Sequence, residues 1–167
     1  GVALDGAKSE RFKEIKEQLS VLSNQFSKNV LQSTNSWKKT VSANDLKGYG
    51  ADEFSKVKKG DHYEISLQAP VYIDLMTYAD SSDLREEVYK AYISRASDIG
   101  ITSKEFNNRP IMDEILKLRS EMSELVGFSN YAEYSTQSKM VESPDPVVEF
   151  LNSLIELSTP QAKAQKQ

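Results

Sequence analysis

The chain has 167 residues, which makes one domain the default, and its 38% hydrophobic content is low for a self-contained globular unit. Lys and Arg number 21 against 25 for Asp and Glu, and the resulting net charge of -4 argues against the basic face of a nucleic-acid binder. No apolar run approaches the roughly 18 residues that span a membrane, and the first residues lack the basic-then-apolar pattern of a signal peptide. The absence of cysteine excludes disulfides, thiolate zinc sites and cysteine nucleophiles within the chain.

From near Ala7, the residues Phe12, Ile15, Leu19, Leu22, Phe26 and Val30 step by three and four, with polar residues between them. The spacing predicts a long amphipathic helix to about Leu31, which must lie along something equally long. The Ser, Thr and Asn content of "STNSWKKTVS" weakens the helix, while Trp37 and Val41 suit a short strand. A connecting region follows, with one helical turn around Asp52 to Lys58. In "HYEISLQ" the apolar Tyr63, Ile65 and Leu67 alternate with polar neighbours, the pattern of a half-buried strand. The sequence therefore predicts a small hairpin of about Trp37–Val41 with Tyr63–Gln68, leaning on helices.

Pro70 opens a short, mostly buried helix. Ser82 or Asp83 caps the next, which carries Leu84, Val88, Tyr92 and Ala96 on one stripe and Glu86 and Glu87 in its first turn. "IGITSKEFNNRP" reads as a loop. Ile111, Ile115, Leu118, Met122 and Leu125 define another helix, stopped by Gly127. Ser129 caps a short helix through Tyr134, Pro144 and Pro146 interrupt the chain, and Val147, Phe150, Leu151, Leu154 and Ile155 begin a last helix. The polar "TPQAKAQKQ" carries no stop signal, so a cut in or near a helix is expected there. The predicted fold class is mainly α, an irregular multi-helix domain with one small β-hairpin and no fixed-period repeat.

Candidate chemistry is sparse. His62, the single histidine, heads a strand beside Asp61 with no second histidine at metal spacing, so it reads as structural or exposed. The carboxylates of "REEVYKAY" and "RSEMSEL" fall at helix-surface spacing and read as ion pairs. "ADEFSKVKKGDH" has lysines and a glycine but no preceding strand, so a phosphate loop is unsupported. Tyr72, Tyr78, Tyr89 and Tyr92 could line a groove, although aromatics at helical spacing more often form core contacts. No catalytic, cofactor-binding or metal-ligating residue is assigned from the residues alone.

Three stretches resemble the oligopeptidase A and thimet oligopeptidase family of zinc metallopeptidases. "LVGFSNYAEYSTQSKMVESPDPVVEFL" carries Val126-Gly127-Phe128, Asn130-Tyr131-Ala132, Lys139-Met140, Pro144 and Val147 with Phe150-Leu151, preceded by Arg119. "SNQFSKNVLQST" is similar to the family's first long helix, and "LREEVYKAYISRASD" to a later one. The resemblance implies a large helical peptidase whose two halves flank a channel for short peptides. It also implies zinc held by H-E-x-x-H and a later glutamate in the parent enzyme, and none of those residues occurs here.

The expectation is that residues 1–167 form one helical region, a fragment of a two-lobed cytoplasmic peptidase. It would be inactive alone, with no cofactor of its own, and would contribute channel wall and scaffold. Its partners would be the missing catalytic half and, through the complete enzyme, short peptides, with no nucleic acid and no membrane. Uncovered apolar helix faces would favour self-association. A different class of reading is a free-standing helical interaction module.

Overall fold

The computed structural model describes residues 4–100, 103–141 and 143–166. Helix α1 spans Gly6–Ser36, so the Ser/Thr-rich run does not end it at Leu31 as the sequence suggested. The hydroxyls supply the reason. Thr34 donates to the Val30 carbonyl at 2.8 Å and Ser36 to the Ser33 carbonyl at 3.1 Å, so both sit within helical turns by bonding back along the chain. Trp37 follows, 8% exposed, and β1 (Lys38–Val41) begins.

After a loop come α2 (Ala51–Val57), β2 (Lys58–Lys59) and β3 (His62–Ser66). The sheet has three antiparallel strands in the order β1-β3-β2, with Lys39 opposite Ile65, Val41 opposite Tyr63, and Lys59 opposite His62. The expected pairing of the Trp37 and Tyr63 segments is present. The lysine pair, read as part of a connection, adds a third strand. Gly60 makes this possible, because its φ of +58° supplies the left-handed backbone of a two-residue turn. Val41, Ile65 and Leu67 are buried, as the period-2 pattern requires.

Helix α3 (Ala69–Tyr78) carries Pro70 in its first turn, where a missing N–H costs nothing. Helix α4 (Ser82–Ile93) is capped by Ser81, not by Ser82 or Asp83. The Ser81 hydroxyl accepts from the Leu84 N–H at 3.3 Å. Ser81 lies three residues before the first buried leucine and has extended backbone, which a cap needs. The stretch read as a loop contains a single turn, α5 (Ser103–Phe106), before α6 (Arg109–Leu125).

Two compact units divide the chain, residues 20–113 and residues 1–19 with 114–167. In the first, Trp37, Val41, Leu46, Val57, Ile65, Leu67, Leu75, Leu84 and Val88 form one buried cluster under the sheet, α3 and α4. Gly48, at φ +95°, lets the chain pass so close to Tyr78 that a Cβ would lie 1.9 Å from its carbonyl oxygen.

In the second unit, the Arg11 guanidinium grips the Glu121 carboxylate with two bonds of 2.6 and 2.8 Å. Those bonds hold Glu121 below the ordinary carboxylate range. Ile15, Leu118 and Met122 are buried nearby in sequence on the same two helices. Gly127 stops α6 as expected. Its φ is +86°, its N–H reaches the Glu124 carbonyl, and the Phe128 N–H reaches the Ser123 carbonyl. Helix α7 (Tyr131–Thr136) is capped by Asn130 rather than Ser129, because the longer Asn130 side chain accepts from the Glu133 N–H at 3.0 Å. Helix α8 (Asp145–Gln165) begins on the two prolines that interrupt the sequence pattern. None of its described residues is buried.

Candidate functional site

The densest polar arrangement lies in the unit of residues 20–113, where two of the resemblance stretches meet. Asn29 and Ser33 are one turn apart on α1 and both are buried. The Asn29 amide donates to the Asn108 side-chain oxygen at 2.8 Å, and the Asn108 amide donates to the Phe26 carbonyl at 3.1 Å. The Ser33 hydroxyl accepts the backbone N–H of Ala96 at 3.0 Å. The Ala96 carbonyl in turn accepts from the Asn108 backbone N–H at 2.8 Å.

These bonds hold Ala96 at φ +50°, the only non-glycine residue with positive φ among the described residues. An L-residue visits that region at a cost, so it persists where its surroundings fix it. Next to it, the Arg95 guanidinium carbon lies 3.6 Å from the centre of the Tyr92 ring, which stacks on Tyr72 at 3.8 Å and 12°. Arg95 also donates to the Thr34 hydroxyl at 2.9 Å and to the Tyr92 carbonyl at 2.8 Å. A cavity of about 210 Å³ opens beside this knot, lined by Phe26, Val30, Ala96, Asn108 and Met112 among others. Arg109 and Asp98 stand at it 3.8 Å apart, each at least half exposed.

The polar atoms of the knot are spent on one another, and it contains no nucleophile beside a base. Its chemistry is support: it fixes the chain reversal after α4 against α1. Sequence reasoning missed Asn29 and Ser33 because polar residues in a helix read as surface, and Asn108 because it falls between α5 and α6 in a stretch read as a loop. The available signal was position, since Phe26, Asn29, Val30 and Ser33 continue the apolar stripe at helical spacing.

The third resemblance stretch builds a corner in the other unit. Arg119 lies over the Tyr131 ring at 4.8 Å, the Phe128 and Tyr131 rings both flank Tyr134, and Asn130 caps α7. A mostly apolar cavity of about 310 Å³ lies between α7 and the start of α8, lined by Tyr131, Ala132, Thr136, Pro144, Val147 and Val148.

His62 is exposed at the start of β3. Among the described residues no group of three or more His, Cys, Asp or Glu side chains could hold a metal ion. The donors present therefore do not fit the zinc ion that the resemblance implies for the parent enzyme. Of the helix carboxylates, Glu86 pairs with Lys90 along its own helix as read, whereas Glu87 reaches across to Lys39 of β1 and Glu121 to Arg11 of α1. The tyrosine row splits. Tyr72 and Tyr92 stack and are half-buried, but Tyr78 and Tyr89 are each 47% exposed because they fall on the outer faces of α3 and α4. No described helix is long and apolar enough to cross a membrane.

Comparison with known proteins bears on the same residues. Oligopeptidase A of Salmonella typhimurium is 40% identical over 170 residues, covering 98% of this chain and 25% of that protein. Oligopeptidase A of Haemophilus influenzae is 38% identical over 174 residues, covering all of this chain and 26% of that protein. A thimet-like oligopeptidase of Dictyostelium discoideum is 32% identical over 166 residues, covering 97% and 23%. The chain thus spans about a quarter of the length of the curated relatives it matches. A family model described as Peptidase family M3 matches residues 75–167, from the buried Leu75 of α3 through the capped corner and α8. That stretch is more than half of the chain, and the chain belongs to peptidase family M3.

Proposed function

We propose that residues 1–167 are a non-catalytic helical segment of a cytoplasmic zinc-dependent oligopeptidase that hydrolyses short peptides. The segment builds part of the channel wall and the scaffold on which the catalytic half rests. The observation that carries this reading is coverage: nearly all of the chain aligns with only about a quarter of each oligopeptidase. In the complete enzyme, zinc would supply Lewis-acid chemistry from residues outside this chain. This chain's own residues would position and exclude, through the Ser33–Ala96–Asn108 knot and the Arg119–Tyr131 corner.

The test compares the purified 167-residue chain with the full-length polypeptide on a short quenched-fluorescence peptide, with zinc and after chelation. Cleavage by the full-length polypeptide that chelation abolishes, with none from the 167-residue chain, is the expected result. Zinc-dependent cleavage by the 167-residue chain would refute the non-catalytic assignment.

A further inference from the structure

Helix α8 is 21 residues long and amphipathic, yet no described residue of it is buried. Val147, Val148, Phe150, Leu151, Leu154, Ile155 and Leu157 are between 36% and 78% exposed. At 100° per residue these seven occupy an arc of roughly 180°, while Asp145, Glu149, Asn152 and Glu156 share the opposite side. An arc of about 100° is enough for a surface helix lying on one core. This one is wide enough to be buried from two directions. The cavity of about 310 Å³ continues the same face, since Val147 and Val148 line it together with Tyr131 and Ala132 of α7.

Resting on the oligopeptidase reading above, we propose that this face is an internal interface of the full-length protein. Its occupant is the same polypeptide outside residues 1–167, and an apolar side chain from that part fills the cavity beside Val147. Two observations select this occupant over a second copy. The relatives that match 98% of this chain are about four times its length, so three quarters of such a polypeptide lies outside it. A two-fold pairing of α8 with α8 covers one seam between the helices, and the rest of the 180° arc stays wet. Several elements of one folded body can cover both flanks at once.

The experiment places a photo-crosslinking phenylalanine analogue at Phe150 in the full-length polypeptide, irradiates it, and maps the linked peptide by mass spectrometry. The expected product has the mass of one chain and joins residue 150 to a residue outside 1–167. A link to a second copy, to a different protein, or to a residue within 1–167 overturns the proposal, as does the absence of any link. Leu154→Asp provides an independent reading. It should lower the melting temperature of the full-length protein by several degrees, whereas Glu156→Gln on the opposite side of α8 should leave it unchanged. Equal tolerance of both substitutions overturns the proposal. Peptide cleavage by the unsubstituted full-length protein is scored in the same preparation. An active enzyme linked between copies defeats only this inference, and an inactive polypeptide linked within itself defeats only the oligopeptidase reading.

Discussion

Leu75 of α3 and Ile65 of β3 reach 0% exposure in the unit of residues 20–113, whereas Leu154 and Ile155 of α8 keep 45% and 59%. Yet α8 shows the cleaner amphipathic pattern of the two regions, with a continuous apolar arc and an acidic back. Periodicity identifies the face that needs cover. It does not say whether the covering surface belongs to the same stretch of chain. The α3–α4–sheet region carries its own cover in the form of Trp37, Val57, Leu67 and Val88. Helix α8 meets Tyr131 and Ala132 of α7 at Val147 and Val148, yet none of its described residues is buried.

The largest effect expected from this contrast is in truncations to alanine. Leu75→Ala should cost about 2–5 kcal/mol, as fully buried leucines do. Leu154→Ala should stay within about 0.5 kcal/mol in the 167-residue chain. Urea unfolding of both variants measures the difference, and equal costs would erase the distinction between the regions.

A second pair of variants asks about crowding. Gly48→Ala places a Cβ 1.9 Å from the Tyr78 carbonyl oxygen, so backbone must move, and a cost of about 2 kcal/mol or more is expected. Gly127→Ala meets nothing within 4 Å and should cost only the left-handed backbone penalty, about 1 kcal/mol. Thermal melts of the two variants would show whether the unit of residues 20–113 is indeed the less forgiving one.

Ser33→Ala withdraws the acceptor of the buried Ala96 N–H, and about 1–3 kcal/mol of destabilisation is expected. Hydrogen exchange should show faster exchange of the Ala96 amide, while the Phe128 and Glu133 amides of the other unit keep their protection.

The smallest effect at neutral pH belongs to Tyr49, whose buried hydroxyl has no hydrogen-bond partner among the described residues. Burial, with Asp74 and Glu53 adding to it, pushes its pKa up to about 12, above the roughly 10 of an unfolded chain. The folded state holds this proton longer than the unfolded one. The resulting stability is whole below about pH 10 and is lost as the pH rises towards 12. Tyr49→Phe should leave neutral-pH stability equal or slightly higher and flatten the alkaline loss in a pH series of melts.

Much of this was readable from residues alone. The helices announce themselves through spacing, and Gly127 through its place after Leu125. The caps shifted by one residue because neighbouring positions offer equally good capping side chains: Ser81, Ser82 and Asp83 all qualify, as do Ser129 and Asn130. Strand β2 was invisible because two exposed lysines have no alternation to detect; its pairing comes from Gly60 and from β3. The buried Asn108 was invisible for the opposite reason, since its burial is decided by a partner 79 residues away. The resemblance stretches carried more than their chemistry suggested. Phe26, Arg95, Ala96, Gly127 and Asn130 each sit where the backbone reverses or a helix must be fixed to the next.

The small sheet has one more consequence. Both of its outer strands carry a lysine pair, Lys38-Lys39 at the start of β1 and Lys58-Lys59 making up β2, with β3 in the middle. Lys38 and Lys39 are anchored by Glu64 and Glu87, so the charges stay at the rim. A further strand approaching either side would have to bury or crowd ammonium groups to pair its backbone. Among the described residues the sheet thereby discourages growth at both of its sides, and its edges do not invite aggregation.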